Sequence, residues 1–229
     1  MIANKKKFYV GLVLMAAFCA VLVGMFMPIS GHGNGLEYLD NLYNSISKGS
    51  AYYIDAVKAD VQAMEAPESL TLTLKMKSEQ QAEETIRLFI RAGAQVFQEG
   101  DTLTVNCDIR QILLLCLNDA QSMYNNDGAA VSGTYGYNER AVLYNWHTAL
   151  KAMDFDLKQQ NQFAVAKKVD LVTKKAVETA YNYYGIQGQK ISERTGVVAF
   201  SLIFYVVYTL WYGFGIMYMF EGVGMQLEH

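Results

Sequence analysis

The chain has 229 residues, with 19 Lys and Arg against 22 Asp and Glu, a net charge of −3, and 52% hydrophobic residues. So balanced a charge supplies no electrostatic footprint for nucleic acid, which requires clustered cations to displace phosphate counterions, and no nucleic-acid partner is expected. Hydrophobic residues concentrated in two long stretches, with only two prolines, instead indicate a membrane protein with long helices.

Residues 1–7 carry Lys5, Lys6 and Lys7 directly before residues 8–28, an uncharged apolar stretch. At 1.5 Å per residue, about 20 such residues cross a hydrocarbon core ~30 Å thick, so a first transmembrane helix is expected. The basic flank places residues 1–7 in the cytoplasm. A cleavable signal peptide shares this layout, but its apolar region runs about 7–15 residues and ends in a small-x-small site, which Phe26-Met27-Pro28-Ile29 does not offer. Ala16, Ala20 and Gly24 recur every four residues and form a row on which another helix could pack closely.

Residues 29–68 read as a juxtamembrane helical segment. After the glycine-rich Gly31-His32-Gly33-Asn34-Gly35, helical spacing of Leu36, Leu39, Leu42, Tyr43 and Ile46 predicts an amphipathic helix, and Tyr53, Val57, Val61 and Met64 predict a second, closed by Pro67.

Residues 69–126 predict a small β-α-β-β-α module. Leu70, Leu72, Leu74 and Met76 alternate with polar residues as in a half-buried strand. Ser78-Glu79-Gln80-Gln81 is a capping box that opens a helix through Ile86, Phe89 and Gly93. Strands near 94–98 and 102–106 flank a turn at Glu99-Gly100-Asp101, and Asp108 caps the next helix.

Residues 127–137 read as a glycine-rich loop and an internal boundary. Residues 138–195 then predict a helical stalk, long or folded back as a hairpin, with a break near Asp154-Phe155-Asp156. Val165, Val169, Val172, Ala176, Thr179 and Tyr183 form a short heptad-like seam. The numerous extramembranous aromatics, Tyr52, Tyr53, Tyr135, Tyr137, Tyr144, Trp146 and Tyr181 among them, suit adhesion at protein or membrane surfaces.

Residues 196–220 predict the second transmembrane helix, with 221–229 as a cytoplasmic tail. Leu227-Glu228-His229 resembles the start of a histidine tag, so His229 is set aside. Ser201, Tyr205, Tyr208, Thr209, Tyr212 and Gly215 are expected to form one polar stripe, because hydroxyls at bilayer depth seek protein or water. That stripe would be a helix-packing seam or, with several copies, a pore face.

Chemistry-bearing motifs are sparse. Cys19, Cys107 and Cys116 read as free thiols, His32 sits in a membrane-exit turn near Glu37 and Asp40, and His147 occupies one polar position on a packed helix. Asp154 and Asp156 read as solvated carboxylates. No zinc, haem, P-loop or nucleophile-elbow pattern occurs, so neither catalytic nor metal residues nor a cofactor are expected.

The expected fold class is therefore an α+β membrane protein, two transmembrane helices flanking an extracytoplasmic (periplasmic) domain, in the inner (plasma) membrane with both termini cytoplasmic. The expected role is non-catalytic: an oligomeric scaffold or an accessory subunit of a membrane complex, partnered by the bilayer and by copies of itself or other membrane subunits. The alternatives are a homo-oligomeric channel or transport element lined by the second helix, and an extracytoplasmic ligand-binding sensor.

Overall fold

The computed structural model describes residues 2–28 and 33–225. Within them the elements run α1 (Lys5–Phe26), α2 (Gly35–Ser50), α3 (Ile54–Gln62), β1 (Leu70–Lys75), α4 (Glu79–Arg91), β2 (Gln95–Glu99), β3 (Thr102–Cys107) and α5 (Ile109–Tyr124). There follow α6 (Gly128–Tyr135), α7 (Glu139–Gln159), α8 (Phe163–Val172), a π-helical turn (Thr173–Val177), α9 (Glu178–Tyr183), a 3₁₀ turn (Ile191–Glu193) and α10 (Thr195–Gly222). The chain is thus predominantly helical with one small sheet, and two helices, α1 and α10, are long and apolar enough to cross a membrane.

Two compact units are present, Met1–Ser50 with Gln187–His229, and Ala51–Ile186. In the first, α1 and α10 pack against each other and α2 packs on α1. Asn4 caps α1, its side-chain oxygen accepting from the Lys7 amide at 3.1 Å.

The second unit is built on the expected strand and helix order. Its sheet is antiparallel in the order β1-β3-β2, with Leu72 opposite Val105 and Val96 on the other side of Val105. Alternation carries Leu70, Leu72, Leu74, Leu103, Val105 and Cys107 to one buried face. The Ser78 hydroxyl caps α4 by accepting from Gln81 N, and the Asp108 carboxylate caps α5 by accepting from Arg110 N.

Residues 127–137 are not a loop. The Asp127 carboxylate accepts from Ala130 N at 3.3 Å, Gly136 closes the helix in a left-handed conformation at φ 77°, and Val131 and Tyr135, one turn apart, are buried. A cap at each end and two anchors outweigh the low helix propensity of glycine and serine. Nor do these residues bound a module, since residues on both sides share one hydrophobic core.

Of the stalk expected over 138–195, the helices from Glu139 to Tyr183 form a hairpin folded into that core, whereas residues 187–195 belong to the first unit. Its break falls at 160–162 and not at Asp154-Phe155-Asp156, because Asp154 supports α7 through an i,i+4 ion pair with Lys158 at 2.6 Å. Asn161 adopts φ 59° and Gln162 N donates to Leu157 O, a Schellman-type stop made without glycine. The heptad-like seam begins as expected with buried Val165, Val169 and Val172. Ala176 is buried as expected too, but the π-turn inserts a residue there, and burial moves on to Val177 and Ala180, leaving Thr179 half-exposed. The segment over 29–68 likewise divides: α2 belongs to the first unit, whereas Ile54, Val57 and Val61 of α3 anchor in the core of the second.

Candidate functional site

The antiparallel contact of α1 and α10 has the spacing of a coiled coil. Among the covered positions, Phe8, Gly11, Met15, Phe18, Leu22 and Met25 of α1, and Ser201, Phe204, Tyr208, Trp211, Gly215, Tyr218 and Gly222 of α10, each form a row separated alternately by three and four residues. Two glycines set the approach. A Cβ on Gly11 would lie 2.6 Å from Met219 N and 2.8 Å from Gly215 O, and one on Gly222 would lie 2.6 Å from Phe8 Cα. At that end Asn4 N donates to Gly222 O at 2.9 Å, and Lys7 Nζ lies 2.6 Å from Glu221 Oε2.

Aromatic rings fill the middle. Phe18 stacks on Tyr208 with centroids 4.2 Å apart, and the stack continues along α10 through Phe204 to Phe200. Near the start of α10, the Ser201 hydroxyl donates to Val198 O at 2.9 Å, so its contact with Tyr43 Oη at 2.5 Å has the tyrosine as donor. Ser45 of α2 donates to Gln187 O and receives Gln189 N on its carbonyl, which ties α2 to the segment entering α10.

The six residues expected as one polar stripe divide into two rows. Ser201, Tyr208 and Gly215, seven apart, face inward, while Tyr205 is 68% and Tyr212 45% exposed and Thr209 is exposed beside them. Their spacing covers about 120° of arc at 3.6 residues per turn, too wide for a single helix contact. Thr209 Oγ1 donates to Tyr205 O at 2.7 Å, whereas the Tyr205 and Tyr212 hydroxyls have no hydrogen-bond partner among the described residues. The Trp211 indole Nε1 is buried and also without a partner there.

Ala16, Ala20 and Gly24 are not the surface that meets α10. All three are exposed, and nothing approaches within 4 Å of a Cβ built on Gly24. Gly11, Phe18, Gly222 and Tyr43, none of them among the expected packing residues, carry the contacts instead; three-four spacing runs through Gly11 and Gly222 but does not by itself single out their faces.

In the second unit the polar side chains are organised around buried carboxyl and amide groups. Asp119 accepts from Tyr135 Oη at 2.6 Å and from Trp146 Nε1 at 2.8 Å, and burial raises its pKa. Tyr135 and Trp146 are therefore core residues, not surface aromatics. Asn145 receives Gln81 Nε2 on its oxygen at 3.0 Å and donates to Glu84 at 2.9 Å.

A cleft of about 360 Å³ opens beside the π-turn between α7 and α9. His147 Nε2 lies 3.2 Å from Glu178 Oε1, with Lys151 Nζ 3.9 Å from the same oxygen. Lys77 covers the Tyr144 ring and Arg140 the Tyr181 ring, so both aromatic walls already hold a cation. Cys107 and Cys116 are buried, and burial pushes the Cys107 thiol up to about 11 and that of Cys116 up as well, which suppresses the thiolate needed for nucleophilic chemistry. Among the described residues no three His, Cys, Asp or Glu side chains converge as a metal centre requires. His32 and His229 lie outside the described residues.

No protein-family model, no curated protein and no solved structure matches this chain.

Proposed function

We propose that this is a two-span inner-membrane protein that acts by assembly, as an oligomeric, non-catalytic scaffold or as an accessory subunit of a membrane complex. In this reading α1 and α10 cross the bilayer, both termini are cytoplasmic, and residues 51–186 are extracytoplasmic. The basic flank at Lys5, Lys6 and Lys7 supports the orientation, and the antiparallel pairing of Lys7 with Glu221 supports a common side for both ends.

The observation that carries the assembly reading is the exposed pair Tyr205 and Tyr212, whose hydroxyls lack hydrogen-bond partners among the described residues even though the Tyr212 ring leans on Phe18. In hydrocarbon such groups favour a second protein surface. Ser201 and Tyr208 are already engaged within the chain, which weighs against a pore lined by the whole stripe.

Light scattering and native mass spectrometry of protein extracted into mild detergent test this directly. A defined multimer, or a retained partner subunit, whose stability falls in a Tyr205→Phe/Tyr212→Phe variant is the expected result. A strict monomer with no crosslinked partner in membranes overturns it, and ion flux in liposomes abolished by the same substitutions would assign the row to a channel.

A further inference from the structure

The two edges of the three-stranded sheet are treated differently. At the β1 edge, Thr73 N donates to the Asp156 carboxylate of α7 at 3.2 Å, and Gln160 Nε2 donates to Thr71 O at 2.9 Å, so side chains close the outward groups of that strand. At the β2 edge no such contact occurs among the described residues. Unprotected edges are normally blunted by lysine, proline or a bulge. β2, Gln95-Val96-Phe97-Gln98-Glu99, has none of these, and Phe97 at its centre is 67% exposed.

The hydrogen-bond parity of this edge follows from the hairpin. Glu99 and Thr102 close a two-residue turn, and such a closing pair exchanges both backbone bonds. Phe97 with Thr104 and Gln95 with Asn106 then bond likewise, which turns the N–H and C=O of Val96 and Gln98 outward. The same alternation carried across β3 turns Thr71 and Thr73 outward on β1, where Asp156 and Gln160 meet them.

We propose that β2 is a homodimerisation edge, pairing antiparallel with β2 of a second copy about a two-fold axis through Phe97. This register sets Val96 opposite Gln98 of the partner chain and Gln98 opposite Val96, using every outward backbone group of the strand. Phe97 meets its own copy in the non-hydrogen-bonded pair at the centre, where side chains come closest. Gln95 falls opposite Glu99, so no like charges oppose each other. A shift by one residue in either copy brings outward groups against groups already bonded to β3. A shift by two, toward Ala94, fails because the Ala94 amide already donates to Phe89 O. The result is a continuous six-stranded sheet with both ends sealed by α7.

This inference rests on the assembly reading above and gives it a specific contact. The test uses the full chain in detergent and in native membranes, carrying Phe97→Cys with Cys19→Ser; Cys107 and Cys116 stay buried. Oxidation should give a disulfide dimer from Phe97→Cys at least tenfold faster than from Glu99→Cys, which the two-fold register holds apart, and Gln95→Cys should dimerise with Glu99→Cys. Gln98→Pro, which removes an outward N–H and no bond to β3, and Phe97→Lys should each reduce the multimer. If the multimer persists in Phe97→Lys and Phe97→Cys crosslinks no faster than Glu99→Cys, the edge pairing is wrong while the assembly reading stands. If the unmodified protein is monomeric throughout, both fail.

Discussion

Tyr43 Oη donates to Ser201 Oγ across 2.5 Å, joining the amphipathic helix α2 to the first turns of the apolar helix α10. Ser201 cannot return the proton, because it donates its own to Val198 O. The bond therefore has one direction, and removing either partner leaves a different group unsatisfied. Tyr43→Phe removes the donor and Ser201→Ala the acceptor. A double-mutant cycle on the two, read by thermal unfolding in detergent, should return a coupling of about 0.5–1.5 kcal/mol. Additive effects would show that the two hydroxyls do not act together.

Gly11→Ala should loosen the α1–α10 pair, since the added carbon meets backbone atoms of Met219 and Gly215 that cannot rotate away. The expected loss is about 1–3 kcal/mol, the usual range for overpacking. Gly24→Ala, facing open space on the same helix, should stay within about 0.5 kcal/mol of the parent in the same unfolding assay. Equal losses would contradict the assignment of faces.

Asp119→Ala leaves the Tyr135 hydroxyl and Trp146 indole without their acceptor and should cost about 2–4 kcal/mol in urea unfolding.

The same carboxyl predicts a pH dependence of defined sign. Burial raises its native pKa above 3.8, against the pull of the Tyr135 and Trp146 hydrogen bonds and of Arg91. From the unfolded value upward, the native state holds a proton that the unfolded chain has released, so the contribution of this group to stability falls as pH rises and levels off beyond the native pKa. Asp119→Asn cannot titrate. The unfolding free energy of wild type minus that of Asp119→Asn should therefore decline above about pH 4 and then flatten. A difference that rises with pH would reverse the assignment.

Thiol labelling should separate the cysteines of the second unit from ordinary surface thiols. With its pKa near 11, Cys107 is ionised at pH 7 only on the order of one part in ten thousand, and both it and Cys116 are buried. Maleimide applied to the native protein at pH 7 should leave both unmodified for hours and modify both within minutes in denaturant, as peptide mass spectrometry would show. Rapid native labelling of either would indicate that the core opens there.

How much of this was legible in the sequence depended on whether the governing interaction was local. Alternation in Leu70, Leu72 and Leu74, and the caps at Ser78 and Asp108, act within a few residues and placed the sheet and its helices. The helix over Gly128–Tyr135 escaped notice because its anchors, Val131 and the Tyr135 bond to Asp119, are tertiary. The turn at Asn161 was hidden because asparagine, which tolerates the left-handed conformation, replaces glycine there. The π-turn leaves no trace in hydrophobic spacing until the pattern is one residue late. On α1 two faces offered small residues, and intrinsic pattern did not choose between them. Gly11 meets α10 because its backbone fits beside Gly215 and Met219, a matter of shape between segments far apart in the chain.

The bond from Asn4 N to Gly222 O links nearly the first and last described residues. Synthesis therefore completes α1 long before its partner exists, and the notch at Gly11 must wait until α10 emerges. Residues 51–186, contiguous in sequence, can meanwhile find all of their own core. Because closure entropy grows only with the logarithm of loop length, about 0.6 kcal/mol per doubling, the long delay costs little in equilibrium stability. Its cost is temporal: the helix pair closes last, and a truncated chain ending before Thr195 leaves a finished domain and an unpaired α1.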